Sequence, residues 1–248
     1  MNWKIVEFDQ VTSTQDIARQ LARSGEEEGT VVLARHQTSG RGRQGRAWYS
    51  PRDAGIWATC LLKPDLGAEH LLLLPILISV SIASTVEEAT GRKTSIKWPN
   101  DVYMGTRKLA GVLCEAETIS ERGTSFVLAG FGVNLITPQG GFPEEIADLA
   151  TSVESETGER VDADRLLRSI LTALAERYEK LLRGERESIV NEALSRDMLK
   201  GSFVKLRVGE RIYEGRSEGI GRSGGLLLVD NEGKESEFVS GEVIEFNY

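Results

Sequence analysis

The 248 residues carry 30 Lys and Arg against 38 Asp and Glu, a formal net charge of −8, which argues against a general nucleic-acid binder with its usual basic face. With 40% apolar and 27% charged residues, the chain reads as a folded soluble protein of one large or two unequal domains, long enough to bury a core without staples. Cys60 and Cys114, the only cysteines, exclude a disulfide framework and suit a reducing compartment.

The N-terminus lacks an apolar signal core, and the longest apolar run, Leu71 to Ala83, is short of the roughly 20 residues that cross a bilayer. The expectation is a cytoplasmic chain with no membrane contact. Residues 3–8 read as a first strand. Ser13-Thr14-Gln15-Asp16 opens a helix with Ile17, Ala18, Leu21 and Ala22 at helical spacing, and Gly25 ends it. Thr30–Ala34 is a strand that runs into a Gly/Arg segment, and Gly55–Lys63 is another, with Ile56, Ala58, Cys60 and Leu62 on one face.

Leu71–Thr90 reads as a long buried helix with Pro75 in its first turns. Strands follow at Ser95–Trp98, Leu109–Glu117 and Ser125–Leu135, with Gly105 and Gly123 in the turns. The polar stretch 137–161 predicts loops and one short helix. Leu166 to Leu181 make an amphipathic helix, and a second lies around Ile189–Leu199. After Lys200 come short strands with Gly-rich turns, closing at Val243–Phe246, which suggests a small β-barrel. The expected domains are 1–200 and 201–248.

Gly40-Arg41-Gly42-Arg43-Gln44-Gly45-Arg46 holds the strongest local signal. It contains G-x-G-x-x-G, yet Arg46 to Pro51 is a poor helix start, so the dinucleotide reading fails on context. No Walker A sequence occurs either. What remains is a cationic loop with Trp48 at its base. Its glycines let the backbone close over a ligand, and its guanidinium groups suit bidentate contacts to phosphate or carboxylate. Ordering such a loop costs roughly 1–2 kcal/mol per residue, against roughly 1.5–3 kcal/mol per charged hydrogen bond. The loop is therefore expected to be disordered when empty and to close over a charged ligand; a solvated Arg-rich turn is the plainer alternative.

Lys97-Trp98-Pro99-Asn100-Asp101 gathers a lysine, an amide and a carboxylate around a strand-ending proline. Lys108 stands at the mouth of an apolar strand, where a lysine commonly snorkels to water. Gly132 inside a strand marks close approach of a ligand or backbone. His36 and His70 have no zinc spacing to the cysteines, so no metal ligands are assigned. No serine-hydrolase elbow is present, and no paired-carboxylate site can be picked out.

Taken together, Ser13-Thr14-Gln15, Gln37-x-x-Gly40-Arg41-Gly42-Arg43-x-Gly45-Arg46-x-Trp48, Lys97-Trp98-Pro99-Asn100-Asp101, Lys108-Leu109-Ala110-Gly111 and Gly132-Val133-Asn134 occur in the order found in biotin–protein ligases. The resemblance runs from about residue 5 to the C-terminal β-region. It implies an α+β fold: a mixed β-sheet with helices mainly on one face, followed by a small SH3-like β-barrel. It also implies two reactions, in which biotin and Mg-ATP give biotinyl-5′-AMP, and a lysine of a biotin carboxyl carrier protein then takes the biotinyl group.

By motif match, Ser13, Thr14 and Gln15 hold the ureido end of biotin. The plainer reading, Ser13 as helix cap with Asp16 in the box position, is compatible, since backbone N–H groups at a helix start can also serve a ligand. Gln37, Arg41, Gly42 and Arg43 line the loop over the carboxylate and the adenylate phosphate, with Gly111 among the biotin residues. Lys108 bridges carboxylate and α-phosphate. Trp48 borders the adenine, Asn100 and Asn134 lie near the nucleotide, and Asp101 takes the proton of the incoming lysine or helps place metal.

Two positions depart from the family pattern. Gln15 stands where many relatives have asparagine, and Glu218 stands near a basic residue that approaches ATP in some relatives, so no nucleotide role is carried to Gly215–Gly221. The signature begins almost at residue 1, and the expectation is a dedicated ligase without a DNA-binding repressor domain, dimerising through an edge strand as relatives do. The alternatives are a lipoate–protein ligase, which shares the catalytic fold, a sensor that binds the adenylate without transferring it, and a basic-loop nucleic-acid binder. The last conflicts with the net charge.

Overall fold

The computed structural model describes residues 1–67, 71–118 and 125–247; the expected turn at Gly123 and the side chain of His70 lie outside them. Seven strands form the first sheet: β1 (Lys4–Phe8), β2 (Thr30–Ala34), β3 (Gly55–Leu62), β4 (Thr94–Lys97), β5 (Asp101–Met104), β6 (Arg107–Thr118) and β7 (Ser125–Asn134). Their spatial order is β1-β2-β3-β7-β6-β5-β4, with β1 and β2 parallel and the other pairs antiparallel. The sheet is mixed, as expected.

Period-2 alternation gives this sheet two unlike faces. Ile56, Ala58, Cys60 and Leu62 of β3 join Val127, Ala129, Phe131 and Val133 of β7 in the main core. That face is covered by α2 (Leu73–Thr90), α4 (Ala163–Leu182) and α5 (Arg186–Leu194). α2 is apolar on every side because it lies between the sheet and the other helices, and the fully buried Leu77, Ile78, Val80 and Ile82 show it. At 18 residues and mean hydropathy 1.4 it is long and apolar enough to cross a membrane, longer than the run expected from sequence, but two thirds of it is buried in this fold. Pro75 is its third residue, where the missing N–H has no intrahelical partner to lose.

The opposite face is covered over only half its width. There α1 (Thr14–Arg23) packs Ala18 and Ala22 on Val32, Leu61, Phe126 and Leu128. The other half carries Thr59, Gly111, Gly130 and Gly132, too small to need a covering helix, and it forms the floor of a cavity.

Two expected boundaries move. Asp101–Met104, to which no strand was assigned from the sequence, is strand β5, paired with β4 and β6. The helix expected over Ile189–Leu199 is α5, which ends at Leu194. Beyond it the chain turns alongside β4, with Ile96 N–H donating to Arg196 O at 2.7 Å and Met198 N–H to Ile96 O at 3.1 Å. The short helix expected within 137–161 is α3 (Val153–Thr157), capped by Ser152.

The C-terminal strands β8 (Phe203–Val208), β9 (Arg211–Ile220), β10 (Leu226–Val229), β11 (Glu235–Phe238) and β12 (Glu242–Asn247) make an antiparallel sheet of order β11-β10-β9-β8-β12. Among the described residues no pairing of β11 with β12 closes it into a full barrel; the chain turns at Gly241, φ +156°, and β12 pairs with β8. Trp98, 2% exposed, fastens this sheet to the first through Nε1–H donating to Gly224 O at 2.9 Å.

Candidate functional site

The cavity has a volume of about 430 Å³, and every residue given a site role from the sequence lines it: Ser13, Thr14, Gln15, Gln37, Arg41, Gly42, Arg43, Trp48, Asn100, Asp101, Lys108, Gly111 and Asn134. It also takes in Lys97, Thr59, Tyr103 and Gly130, for which no role was expected, and Gly241, Glu242 and Val243 from the second sheet. Glu218 is an exposed residue of β9 outside it.

One end is built on the start of α1. Thr14 N–H donates to Gln37 Oε1 at 2.8 Å and Thr14 Oγ1–H to the same oxygen at 3.1 Å. Thr59 Oγ1–H donates to Thr14 Oγ1 at 2.8 Å. Gln37 Nε2–H in turn donates to Ser50 Oγ at 2.8 Å, and Ser50 Oγ–H to Trp48 O at 3.1 Å. Ser13 caps the helix, its Oγ accepting from Gln15 N–H at 3.3 Å, while Asp16 and Ile17 N–H donate to Ser13 O. The first N–H groups of α1 thus all have acceptors within the protein, as the capping role of Ser13 requires. What faces the cavity here is side-chain chemistry. Gln15 is 3% exposed and its Oε1 has no partner.

The other end is cationic. Lys108 Nζ lies 2.7 Å from Asp101 Oδ1 and 5.2 Å above the Trp48 ring. A β-bulge puts it there. Between β5 and β6 the register shifts at Val102/Tyr103, so that Asp101 faces Gly111 while Tyr103 faces Lys108. Leu109 and Ala110 therefore both point into the core, and Lys108 and Gly111 share the cavity face, where a Cβ on Gly111 would meet Lys108 Cε at 3.1 Å. Strict alternation would have sent them to opposite faces.

Lys97 is packed over the rings of Phe246 and Tyr103, at 5.1 and 6.0 Å. Burial pushes its ammonium below the ordinary lysine range, and Asp101 opposes the shift. Burial likewise pushes the Arg43 guanidinium down, again opposed by Asp101.

The Gly40–Arg46 loop crosses the mouth as a closed turn, where the sequence predicts disorder without ligand. Its backbone is tied by Gly42 N–H to Arg46 O at 2.8 Å and Trp48 N–H to Gly40 O at 2.9 Å. Each guanidinium has a protein acceptor: Arg41 pairs with Asp16 at 2.6 Å, Arg43 donates to Asn100 Oδ1 at 3.1 Å, and Arg46 pairs with Glu242. These bonds offset part of the cost of ordering the loop before any ligand arrives. Asn100 is occupied at both ends, since its Nδ2–H donates to Val112 O at 2.6 Å, so it acts on the cavity through Arg43. Asn134 Nδ2–H donates to Thr151 O at 2.9 Å and holds the segment beside Lys108.

Trp48 lies flat on the glycine floor. A Cβ on Gly132 would stand 2.2 Å from its Nε1, and one on Gly111 3.0 Å from Cζ3. Gly111 and Gly132 are cross-strand partners, so the two absent side chains make one platform for an aromatic ring. Among the described residues no group of three His, Cys, Asp or Glu is set to hold a metal. The arrangement can seat a polar neutral group at the α1 end and neutralise anionic groups at the other.

Residues 7–134 match the model of the Biotin/lipoate A/B protein ligase family, and residues 201–244 that of the Biotin protein ligase C terminal domain. The bifunctional ligase/repressor BirA of Bacillus subtilis (strain 168) is 34% identical over 94% of this chain and 71% of its own length. The biotin–[acetyl-CoA-carboxylase] ligase of Paracoccus denitrificans is 36% identical over 82% of this chain and 85% of its own. Among solved structures, the biotin protein ligase from Aquifex aeolicus in complex with biotin and ATP superimposes with a TM-score of 0.84 at 33% identity, covering 98% of this chain and 97% of that one.

Proposed function

Since the chain belongs to the biotin protein ligase family, we propose that it forms biotinyl-5′-AMP and then biotinylates a lysine of a biotin carboxyl carrier protein. The observation that carries this reading is the polarity of this cavity. A buried amide oxygen awaits a donor at the α1 end, and Arg43, Lys97 and Lys108 gather at the other, with Arg41 reaching over from the loop to Asp16. Biotin is built to match, with ureido N–H groups at one end and a carboxylate at the other.

In the first step a biotin carboxylate oxygen attacks the α-phosphorus of Mg-ATP, an O–P bond forms, and pyrophosphate leaves. No protein nucleophile is needed; the chain's contribution is positioning and charge stabilisation. Lys108 reaches both the attacking carboxylate and the α-phosphate, and Asp101 holds its ammonium in place. Arg41 and Arg43 cover the anionic centre from the loop, and Trp48 offers its ring to the adenine. Magnesium arrives with the substrate, held by phosphate oxygens and water as this ion usually is.

In the second step the carrier lysine nitrogen attacks the acyl carbon. The C–N bond forms as the C–O bond to phosphate breaks, and AMP leaves. The amine must first lose a proton from a group of ordinary pKa near 10.4, and Asp101 is the carboxylate at hand to take it.

The test is ATP–pyrophosphate exchange by the purified chain with biotin, with lipoate and with no acid. Exchange with biotin alone is expected, and Lys108→Ala should lower it by at least about 10²-fold while the melting temperature holds. Exchange with lipoate alone would transfer the substrate assignment to the sister reaction, and binding without exchange would make the chain a sensor. Full exchange in Lys108→Ala would remove that lysine from the mechanism.

A further inference from the structure

The amide of Gln15 can point either way round, and its direction decides whether the cavity offers an acceptor or a donor. Its Nε2 faces two acceptors, Leu113 O at 3.3 Å and Glu115 Oε2 at 3.0 Å. Neither can donate, so the nitrogen is pinned toward them and Oε1 is left buried without a partner. Such an oxygen in a closed site costs free energy until a ligand N–H reaches it.

Glu115 is itself held. The oxygen that accepts from Gln15 also accepts from Arg19 Nη2 at 2.9 Å. Arg19 pairs in addition with Glu117 and with Asp16, the latter at 3.3 Å. Asp16 is the residue that pairs with Arg41 of the covering loop. On the floor, Gly130 leaves room for the amide, for a Cβ there would lie 3.0 Å from Gln15 Cδ and 3.2 Å from Oε1.

We propose that Glu115, backed by Arg19, is a positioning residue that locks the Gln15 amide with its oxygen toward the ligand, and so makes this cavity select an acid bearing an N–H donor at its far end. Glu115 does not line the cavity and acts only through Gln15. A site whose buried polar group is left unpaired by the wrong ligand discriminates strongly. The proposal deepens the ligase reading and rests on it: the ureido group satisfies Oε1, whereas the disulfide ring of lipoate cannot.

The experiment compares two ligands by titration calorimetry, biotin and its analogue in which oxygens replace both ureido N–H groups. Glu115→Gln keeps the shape of a side chain that is one third exposed, but its own amide can offer Gln15 a donor and release the lock. Expected are a roughly tenfold weaker Kd for biotin and an unchanged Kd for the analogue. In pyrophosphate exchange, KM for biotin should rise with kcat unchanged, and Arg19→Met should move both readouts the same way. Equal weakening for both ligands, or no weakening for biotin, would overturn the proposal. A wild-type chain that binds neither ligand would overturn the ligase reading and this one with it.

Discussion

A methyl group at Gly132 is enough to displace Trp48. The Cβ would stand 2.2 Å from Nε1 and 2.5 Å from Cε2 of an indole that lies against the sheet, far inside van der Waals contact, and the strand backbone beneath it cannot yield without breaking the β3–β7–β6 ladder. The ring must leave, and with it the face that Lys108 covers from 5.2 Å. Gly132→Ala should therefore raise KM for ATP in biotin-dependent exchange by about tenfold or more, about 1.4 kcal/mol or above. Biotin binding without nucleotide should change far less, because the hydrogen bonds that build the α1 end run through Thr14, Gln37 and Thr59 and none involves the indole. An unchanged KM for ATP would show that the ring is not part of the nucleotide seat.

Among the elements, Glu87 holds three together. From the last turns of α2 it accepts from Thr94 N–H at 3.0 Å and Thr94 Oγ1–H at 3.1 Å, at the start of β4. It also accepts from Arg196 Nη2–H at 2.7 Å, just past α5. Burial alone would raise its carboxyl, but the Arg196 and Thr94 hydrogen bonds prevail and hold it below its ordinary value. A depressed carboxyl contributes stability that is present above its unfolded pKa, near 4.3, and lost as pH falls through the folded value. Glu87→Gln should cost about 1–3 kcal/mol at pH 7, a loss of several degrees in Tm for a chain of this size. The difference from wild type should shrink in melts near pH 3.5. A constant difference across that range would mean that the charge contributes nothing and only shape matters.

What the sequence conceals also belongs to this scale. The cavity residues were legible because each motif is local: Arg41 and Arg43 announce an anion within four residues, and Gly132 announces a close approach. The phase of β6 was not, since nothing in Lys108-Leu109-Ala110-Gly111 declares a bulge, and without it Lys108 and Gly111 fall on opposite faces. β5 was masked by Pro99 and Asn100, whose turn character hides that four residues follow in a ladder. The wall formed by Gly241–Val243 has no local sign at all. It is brought from the second sheet by tertiary contacts such as Trp98 to Gly224, which no periodicity encodes.

The whole molecule turns on how those two sheets are joined, and Asp197 sits at the join. Its residue bridges Ile96 of β4 in parallel, its Oδ1 accepts from Leu199 N–H at 2.8 Å, and its Oδ2 is buried without a partner, 3.0 Å from where a Cβ of Gly219 would be. Burial pushes the carboxyl up to about 6, with the backbone N–H groups of Leu199, Ile220 and Lys200 and the Lys200 charge pulling the other way. For an acid whose folded pKa is raised, the stabilising contribution is complete below the unfolded value of 3.8 and is lost as pH rises through 3.8 to about 6. At pH 7.5 the fold therefore carries a desolvated charge that costs up to about 3 kcal/mol. Asp197→Asn keeps an oxygen for Leu199 and removes the charge. Calorimetric melts at pH 7.5 should show the variant several degrees above wild type, and melts at pH 4 should show the two converging. A variant no more stable than wild type at pH 7.5 would mean that the carboxylate is compensated at the join.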